Sequence, residues 1–203
     1  MLLYTAKRAP NGRRVDIFLA EKGLSVPIEQ VDLGNFEHKN SAFTALNALQ
    51  RIPVLKLDDG DIITESIAIC RYFEALHPKP ALFGVGAKQQ ARVEMWNRRI
   101  EMELWLAVQA VFRHLHPGMA DRELPQVPAW GEANKPKVMV FLKLLDTHLK
   151  DNAFVCGDDF TIADITGLVA LDFFKPARLA VPEDLIHLKR WHAAISSRPS
   201  ASA

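Results

Sequence analysis

Two short stretches of this chain are best suited to chemistry: Gln50-Arg51-Ile52-Pro53-Val54-Leu55 and, after a turn, Thr64-Glu65-Ser66. Pro53 fixes its own φ, has no N–H, and stands directly before an apolar run, Val54 to Leu57, that reads as a strand. An X-Pro bond is where a cis peptide costs least, and a cis bond here would turn the chain and expose the backbone of Ile52. A backbone exposed in this way pairs with an extended peptide as a short added strand. Thr64-Glu65-Ser66-Ile67-Ala68-Ile69 opens an apolar segment of helical period with small polar residues at its start. A helix start offers free N–H groups and a positive dipole end, which suit a ligand carboxylate. Together the two stretches describe a site for a small peptide-like ligand. A strand-opening proline and an ordinary helix cap account for the same residues, and the residues alone leave both readings open.

Other reactive side chains have simpler explanations. Cys70 lies in a largely apolar helical segment and reads as core. Cys156 precedes Gly157 in a turn and has no Cys-x-x-Cys partner, which argues against dithiol redox chemistry. His114-x-His116 lacks the spacing to further Cys or His that a metal site needs, so no metal is expected. Trp96, Trp105 and Phe112, with Arg99 and Arg113, recur at helical spacing and fit either a pocket wall or a packed face. No Gly-x-Gly-x-x-Gly follows a strand, which excludes a dinucleotide-binding reading.

The chain has 203 residues, 49% hydrophobic and 24% charged, with a net charge of +1. Lys and Arg are scattered, so neither a nucleic acid nor a membrane surface is an expected partner. No apolar run reaches the length of a membrane span, and the start, MLLYTAKRAP, has too short an apolar core for a signal peptide. Two cysteines do not make a disulfide framework, and a cytoplasmic location with reduced thiols is expected.

The elements that would position the two stretches can be read in order. Leu2-Leu3-Tyr4 is a strand, and after the loop Ala9-Pro10-Asn11-Gly12 a helix runs from about Arg13 to Lys22, closed by Gly23. A second strand covers Ile28 to Asp32, and a short helix Ser41 to Leu46. Strands at Val54–Leu57 and Ile62–Ile63 flank Asp58-Asp59-Gly60-Asp61, a hairpin signal, and a helix follows from Glu65 to Leu76. This β-α-β-α-β-β-α order implies a mixed sheet built from a parallel βαβ unit and a hairpin. After His77-Pro78-Lys79-Pro80 the pattern is helical throughout: Ala87 to about Leu115, a helix from Trp130 with a kink or late start at Pro136, and a last helix from about Pro182 to Ser197. Thr161-Ile162-Ala163-Asp164 matches a capping-box start, with Phe160 placed to staple Ile165. The fold class is α/β plus all-α, with domains at 1–78 and 87–203 joined by a linker at 79–86.

In this order and spacing the sequence resembles the soluble, cytosolic-type glutathione transferases, in particular bacterial theta- or nu-like members. The resemblance covers essentially the whole chain, including Arg198-Pro199-Ser200, which is similar to the family's common ending. It implies a thioredoxin-like N-terminal domain that binds glutathione as co-substrate, a helical domain lining the acceptor pocket, a homodimer, and a role in detoxification. By position it implies that Ile52, before Pro53, pairs its backbone with the cysteinyl part of glutathione. Glu65 and Ser66 would hold the γ-glutamyl end, and His38 and Arg51 the glycine carboxylate. His38 is equally explained as a solvent-facing loop residue. Arg51 is favoured by its place beside Ile52-Pro53 and by its fixed charge and forked donors.

The implied chemistry turns on a thiol with a pKa of about 8.5, which must be lowered by donors or positive charge because the thiolate is the nucleophile. The family's serine position falls on Ala9, which has no donor. Ala9-Pro10-Asn11-Gly12 resembles a bacterial Thr-Pro-Asn-Gly loop with the Thr lost, and makes Asn11 the first candidate for stabilising the thiolate. Asn11 is equally explained as a helix N-cap, and Tyr4 reads as core more readily than as catalyst. The expected function is attack by the glutathione thiolate on a small electrophile. The alternatives are glutathione-dependent reduction of a peroxide or disulfide, or a non-catalytic glutathione-binding scaffold.

Overall fold

The computed structural model describes residues 1–7 and 9–203. The chain divides into two compact units, Met1–Leu82 with Pro199–Ala203, and Phe83–Arg198.

The first unit carries a four-stranded sheet in the order β2-β1-β3-β4. The strands are β1 (Leu2–Thr5), β2 (Ile28–Gln30), β3 (Val54–Lys56) and β4 (Ile62–Thr64). β1 and β2 are parallel, while β1–β3 and β3–β4 are antiparallel. Helices α1 (Pro10–Glu21), α2 (Ser41–Leu46) and α3 (Ser66–Leu76) complete the unit.

Strand alternation assigns the two faces of the sheet. Leu3 pairs with Leu55 and both are fully buried, on the face that also turns Thr5 toward α1. Tyr4 pairs with Val54 on the other face, where Val31 and Phe43 of the α2 side close a second cluster. The Tyr4 ring meets Phe43 edge-on at 6.4 Å, a packing role.

α1 begins at Pro10 rather than near Arg13. Proline at the first helical position loses no hydrogen bond and already has helical φ, so the helix absorbs the loop assigned to it from sequence. Its end is a Schellman motif: Leu24 N–H donates to the Leu19 carbonyl at 2.9 Å and Gly23 N–H to Ala20 at 3.0 Å. The last turn, Pro199–Ser202, packs on α1, with Arg13 Nη2 donating to the Ala201 carbonyl at 2.9 Å and Ser200 Oγ to Glu21.

The second unit is helical: α4 (Gly86–Arg99), α5 (Leu106–Leu115), α6 (Pro128–Leu149), α7 (Ile162–Asp172), α8 (Phe174–Ala177) and α9 (Ile186–Ser196). A π-helical segment, Ile100–Trp105, joins α4 to α5, so the long helix read from sequence carries an inserted wide turn. α6 starts at Pro128 and runs through Pro136. The carbonyl that Pro136 leaves without an N–H belongs to Glu132, an exposed residue.

α7 is the buried centre, with every residue from Ile162 to Leu171 inside. Its capping box forms as read, with Thr161 and Asp164 exchanging side-chain and backbone bonds. The Asp164 carboxylate also accepts from Val155 N–H at 2.9 Å and from Trp191 Nε1 at 2.8 Å. Gly167 leaves space for the same indole, since a Cβ there would lie 2.6 Å from Trp191. Phe160 packs edge-on against Phe154, with the Arg198 guanidinium 4.0 Å from its ring centroid.

Candidate functional site

Strand pairing in the first unit brings the two sequence stretches together. Val54 faces Thr64 across the β3–β4 ladder, so Pro53, just before β3, comes level with Glu65, just after β4. On the other side of β3, Tyr4 faces Val54, which sets the end of β1 level with Pro53. The β1–α1 loop, the Ile52–Pro53 corner and the start of α3 therefore share one end of the sheet.

The Ile52–Pro53 bond is cis. Pro53 is buried, Ile52 half-buried and Arg51 exposed. Asn47, itself 7% exposed, fixes the approach to this corner: its Nδ2 donates to the Arg51 carbonyl at 2.8 Å, and its Oδ1 accepts from Leu49 N–H at 3.0 Å. Gln50 adopts φ +53° and donates from Nε2 to Thr44 Oγ1 at 3.0 Å. The Arg51 side chain thus projects from a corner whose backbone is tied to α2.

Glu65 is exposed and has φ +67° and ψ 119°, a conformation that costs a non-glycine residue about 1–3 kcal/mol. It turns the chain from β4 into α3. The first backbone bond of α3 runs from Ile69 N–H to the Glu65 carbonyl at 3.0 Å, leaving the N–H groups of Ser66, Ile67 and Ala68 ahead of the ladder. Ser66, 5% exposed, accepts a 2.9 Å hydrogen bond on Oγ from Arg14 Nη1. Among the described residues no side chain caps α1 or α3, so both helix starts keep their positive ends open.

At the start of α1, Ala9 is the N-cap and Asn11 lies inside the first turn, which corrects the reading of Asn11 as a cap. The ladder begins with Arg13 N–H donating to Ala9 at 2.9 Å, ahead of which stand the N–H groups of Asn11 and Gly12. Asn11 Oδ1 and Thr5 Oγ1 are buried and have no hydrogen-bond partner among the described residues. Gly12 is required beside Thr5: a Cβ at residue 12 would lie 2.2 Å from the Thr5 hydroxyl oxygen.

His38 sits in the 3-10 turn Glu37–Lys39 after β2, half-buried, with its ring stacked 6.1 Å from Phe36. β2 runs parallel to β1, so this turn leaves the sheet at the same end as the β1–α1 loop.

The remaining candidates take structural places. Cys70 is fully buried and burial drives its thiol pKa far up, while burial pushes Cys156 up to about 11. His114 and His116 each accept a loop N–H on Nδ1, from Val127 and Gly118 respectively, both at 3.1 Å. Trp105 and Phe112 pack against Phe173, and Trp96 against His148 at 4.1 Å. Two residues of the site region were not singled out from sequence, Asn47 and Arg14. Arg14 carried a usable signal, because a charged residue at the phase of Ile17 and Phe18 falls on the apolar stripe of α1.

Comparison with known proteins gives this arrangement its family. Residues 9–76 match the family model of the glutathione S-transferase N-terminal domain, and residues 120–199 that of the C-terminal domain. Glutathione S-transferase 2 of Saccharomyces cerevisiae is 37% identical over 203 residues, spanning 98% of this chain and 87% of the relative. A crystal structure of a glutathione S-transferase domain-containing protein from Marinobacter aquaeolei superposes with a TM-score of 0.95 at 38% identity, covering 98% of this chain and 99% of the other. The crystal structure of Gtt2 from Saccharomyces cerevisiae gives a TM-score of 0.94 at 36% identity, covering 100% and 99%. The chain belongs to the glutathione S-transferase family.

Proposed function

We propose that this glutathione S-transferase holds glutathione along the sheet end where Pro53 lies level with Glu65, and that this register is the observation carrying the assignment. The backbone of Ile52, half-buried just ahead of β3, pairs with the cysteinyl unit of the tripeptide. Glu65 accepts from the γ-glutamyl ammonium. Ser66 and the open start of α3 donate to the neighbouring carboxylate. Arg51, exposed on its anchored corner, and His38 receive the glycine carboxylate.

The cysteinyl sulfur then falls near the start of α1. Ala9 offers no side-chain donor, so the Asn11 amide, the N–H groups ahead of the ladder and the helix dipole hold the thiolate. The thiol proton passes to solvent. The sulfur attacks an electrophilic carbon, an S–C bond forms, and the bond to the leaving group breaks with its electron pair.

The acceptor is a small electrophile, with a peroxide as the second candidate class because a thiolate also attacks peroxide oxygen. A detoxifying homodimer in the cytoplasm is the corresponding setting. The experiment is calorimetric titration with glutathione, followed by turnover with an activated aryl halide and with an organic hydroperoxide. Binding with aryl transfer supports the assignment. Binding with turnover of the hydroperoxide alone reassigns the acceptor, and absence of binding overturns it.

A further inference from the structure

Arg14 lies on the face of α1 that packs against α3 and is 1% exposed. Its Nη1 donates to Ser66 Oγ at 2.9 Å, and Ser66 is the first residue of α3. A guanidinium only donates, and a serine hydroxyl has one proton and two lone pairs. The bond from Arg14 therefore occupies an acceptor site on Ser66 Oγ and excludes the Ser66 proton from that direction. What remains for that proton is a bond pointing away from Arg14. A donor already accepting from a charged group is also the stronger donor, because charge-assisted bonds polarise their partners. Beneath the open start of α3, where the helix itself contributes about half a positive charge, the fold thus places a permanent full one.

Building on the assignment of Ser66 to the γ-glutamyl carboxylate, we infer that Arg14 is a positioning residue for glutathione. It sets the Ser66 hydroxyl as a donor to that carboxylate and supplies buried positive charge behind it, without touching the ligand. An arginine that only fastened α1 to α3 would support the whole site equally. One acting through Ser66 acts on a single carboxylate of the ligand.

The test compares two ligands, glutathione and its analogue lacking the γ-glutamyl α-carboxylate, by calorimetry on wild type, Arg14→Met, Arg14→Lys, Ser66→Ala and the double variant Arg14→Met/Ser66→Ala. Arg14→Met is expected to weaken glutathione by about tenfold or more, the scale of one lost charge-assisted bond, and to leave the analogue's affinity unchanged. Arg14→Lys is expected to recover part of the loss. In the Ser66→Ala background the Arg14→Met effect is expected to shrink, because the two act on one bond. Equal weakening of both ligands, or an Arg14 effect undiminished without the Ser66 hydroxyl, overturns the inference and leaves Arg14 a structural fastener. Unchanged glutathione affinity in Ser66→Ala overturns the carboxylate assignment and this inference with it. If neither Arg14 variant folds, the side-chain nitrogen resonances of Arg14 in wild type decide. A shift on adding glutathione and none on adding the analogue supports the role, and no shift with either contradicts it.

Discussion

Val54 and Thr64 face each other across the β3–β4 ladder, and that single pairing sets the register of everything at this end of the sheet. A slip of one residue would turn each side chain to the opposite face. The site therefore depends on a short hairpin whose apolar residues are committed to two different clusters, Leu55 to one and Val54 to the other.

Ser66→Ala is expected to weaken glutathione binding by about 1–3 kcal/mol, since the carboxylate loses a donor and Arg14 loses an acceptor. Calorimetry on the folded variant checks this, and a Kd equal to wild type removes Ser66 from the site.

Gly12→Ala would place a methyl group 2.2 Å from the Thr5 hydroxyl oxygen, inside a packed layer. A loss of about 1–3 kcal/mol is expected, typical of overpacking. Urea denaturation of Gly12→Ala, Thr5→Ala and the double variant locates the cause. If the clash is with Thr5, the double variant is more stable than the two single losses predict, and strict additivity contradicts the contact.

Burial raises the Cys156 thiol from 9.0 to about 11 in the folded protein. The native state thus keeps a proton that the unfolded chain releases once the pH passes about 9, and the proton-richer state is disfavoured as pH rises. The contribution of Cys156 is flat below that point and falls between about 9 and about 11. Urea midpoints of wild type and Cys156→Ser at several pH values isolate it, with the wild-type curve expected to fall more steeply in that window. Parallel curves would contradict the burial of the thiol. Iodoacetamide at neutral pH is expected to leave both Cys70 and Cys156 unmodified until the protein unfolds.

The elements legible in the sequence were those written in local chemistry. Asp59-Gly60 marked the hairpin, Gly23 the end of α1 and Thr161 with Asp164 the start of α7, because turns and caps use few residue types. Pro53 and Ser66 were recognisable for the same reason. Their proximity was only inferable, since it depends on the Val54–Thr64 pairing. Interactions distant in sequence left no local mark: Arg14 on Ser66, Trp191 on Asp164, and the tail at Ala201 on Arg13. Two prolines sit in helices that start earlier than the sequence suggests. Pro10 began α1 earlier than its polar loop suggested, and Pro136 sat inside α6 without delaying its start. The π-helical turn at Ile100–Trp105 has no marker residue in the sequence, since it contains neither Gly nor Pro.

Thiol activation beside an Ala9 that carries no donor is the core of the proposed function. It is tested most directly by titrating the protein–glutathione complex with pH while following the ultraviolet absorbance of the thiolate. The bound thiol is expected to ionise well below free glutathione, and Asn11→Ala to raise that midpoint. A mutant midpoint equal to wild type would shift the role to the N–H groups of the first turn of α1. A bound thiol that ionises no earlier than free glutathione would contradict the account.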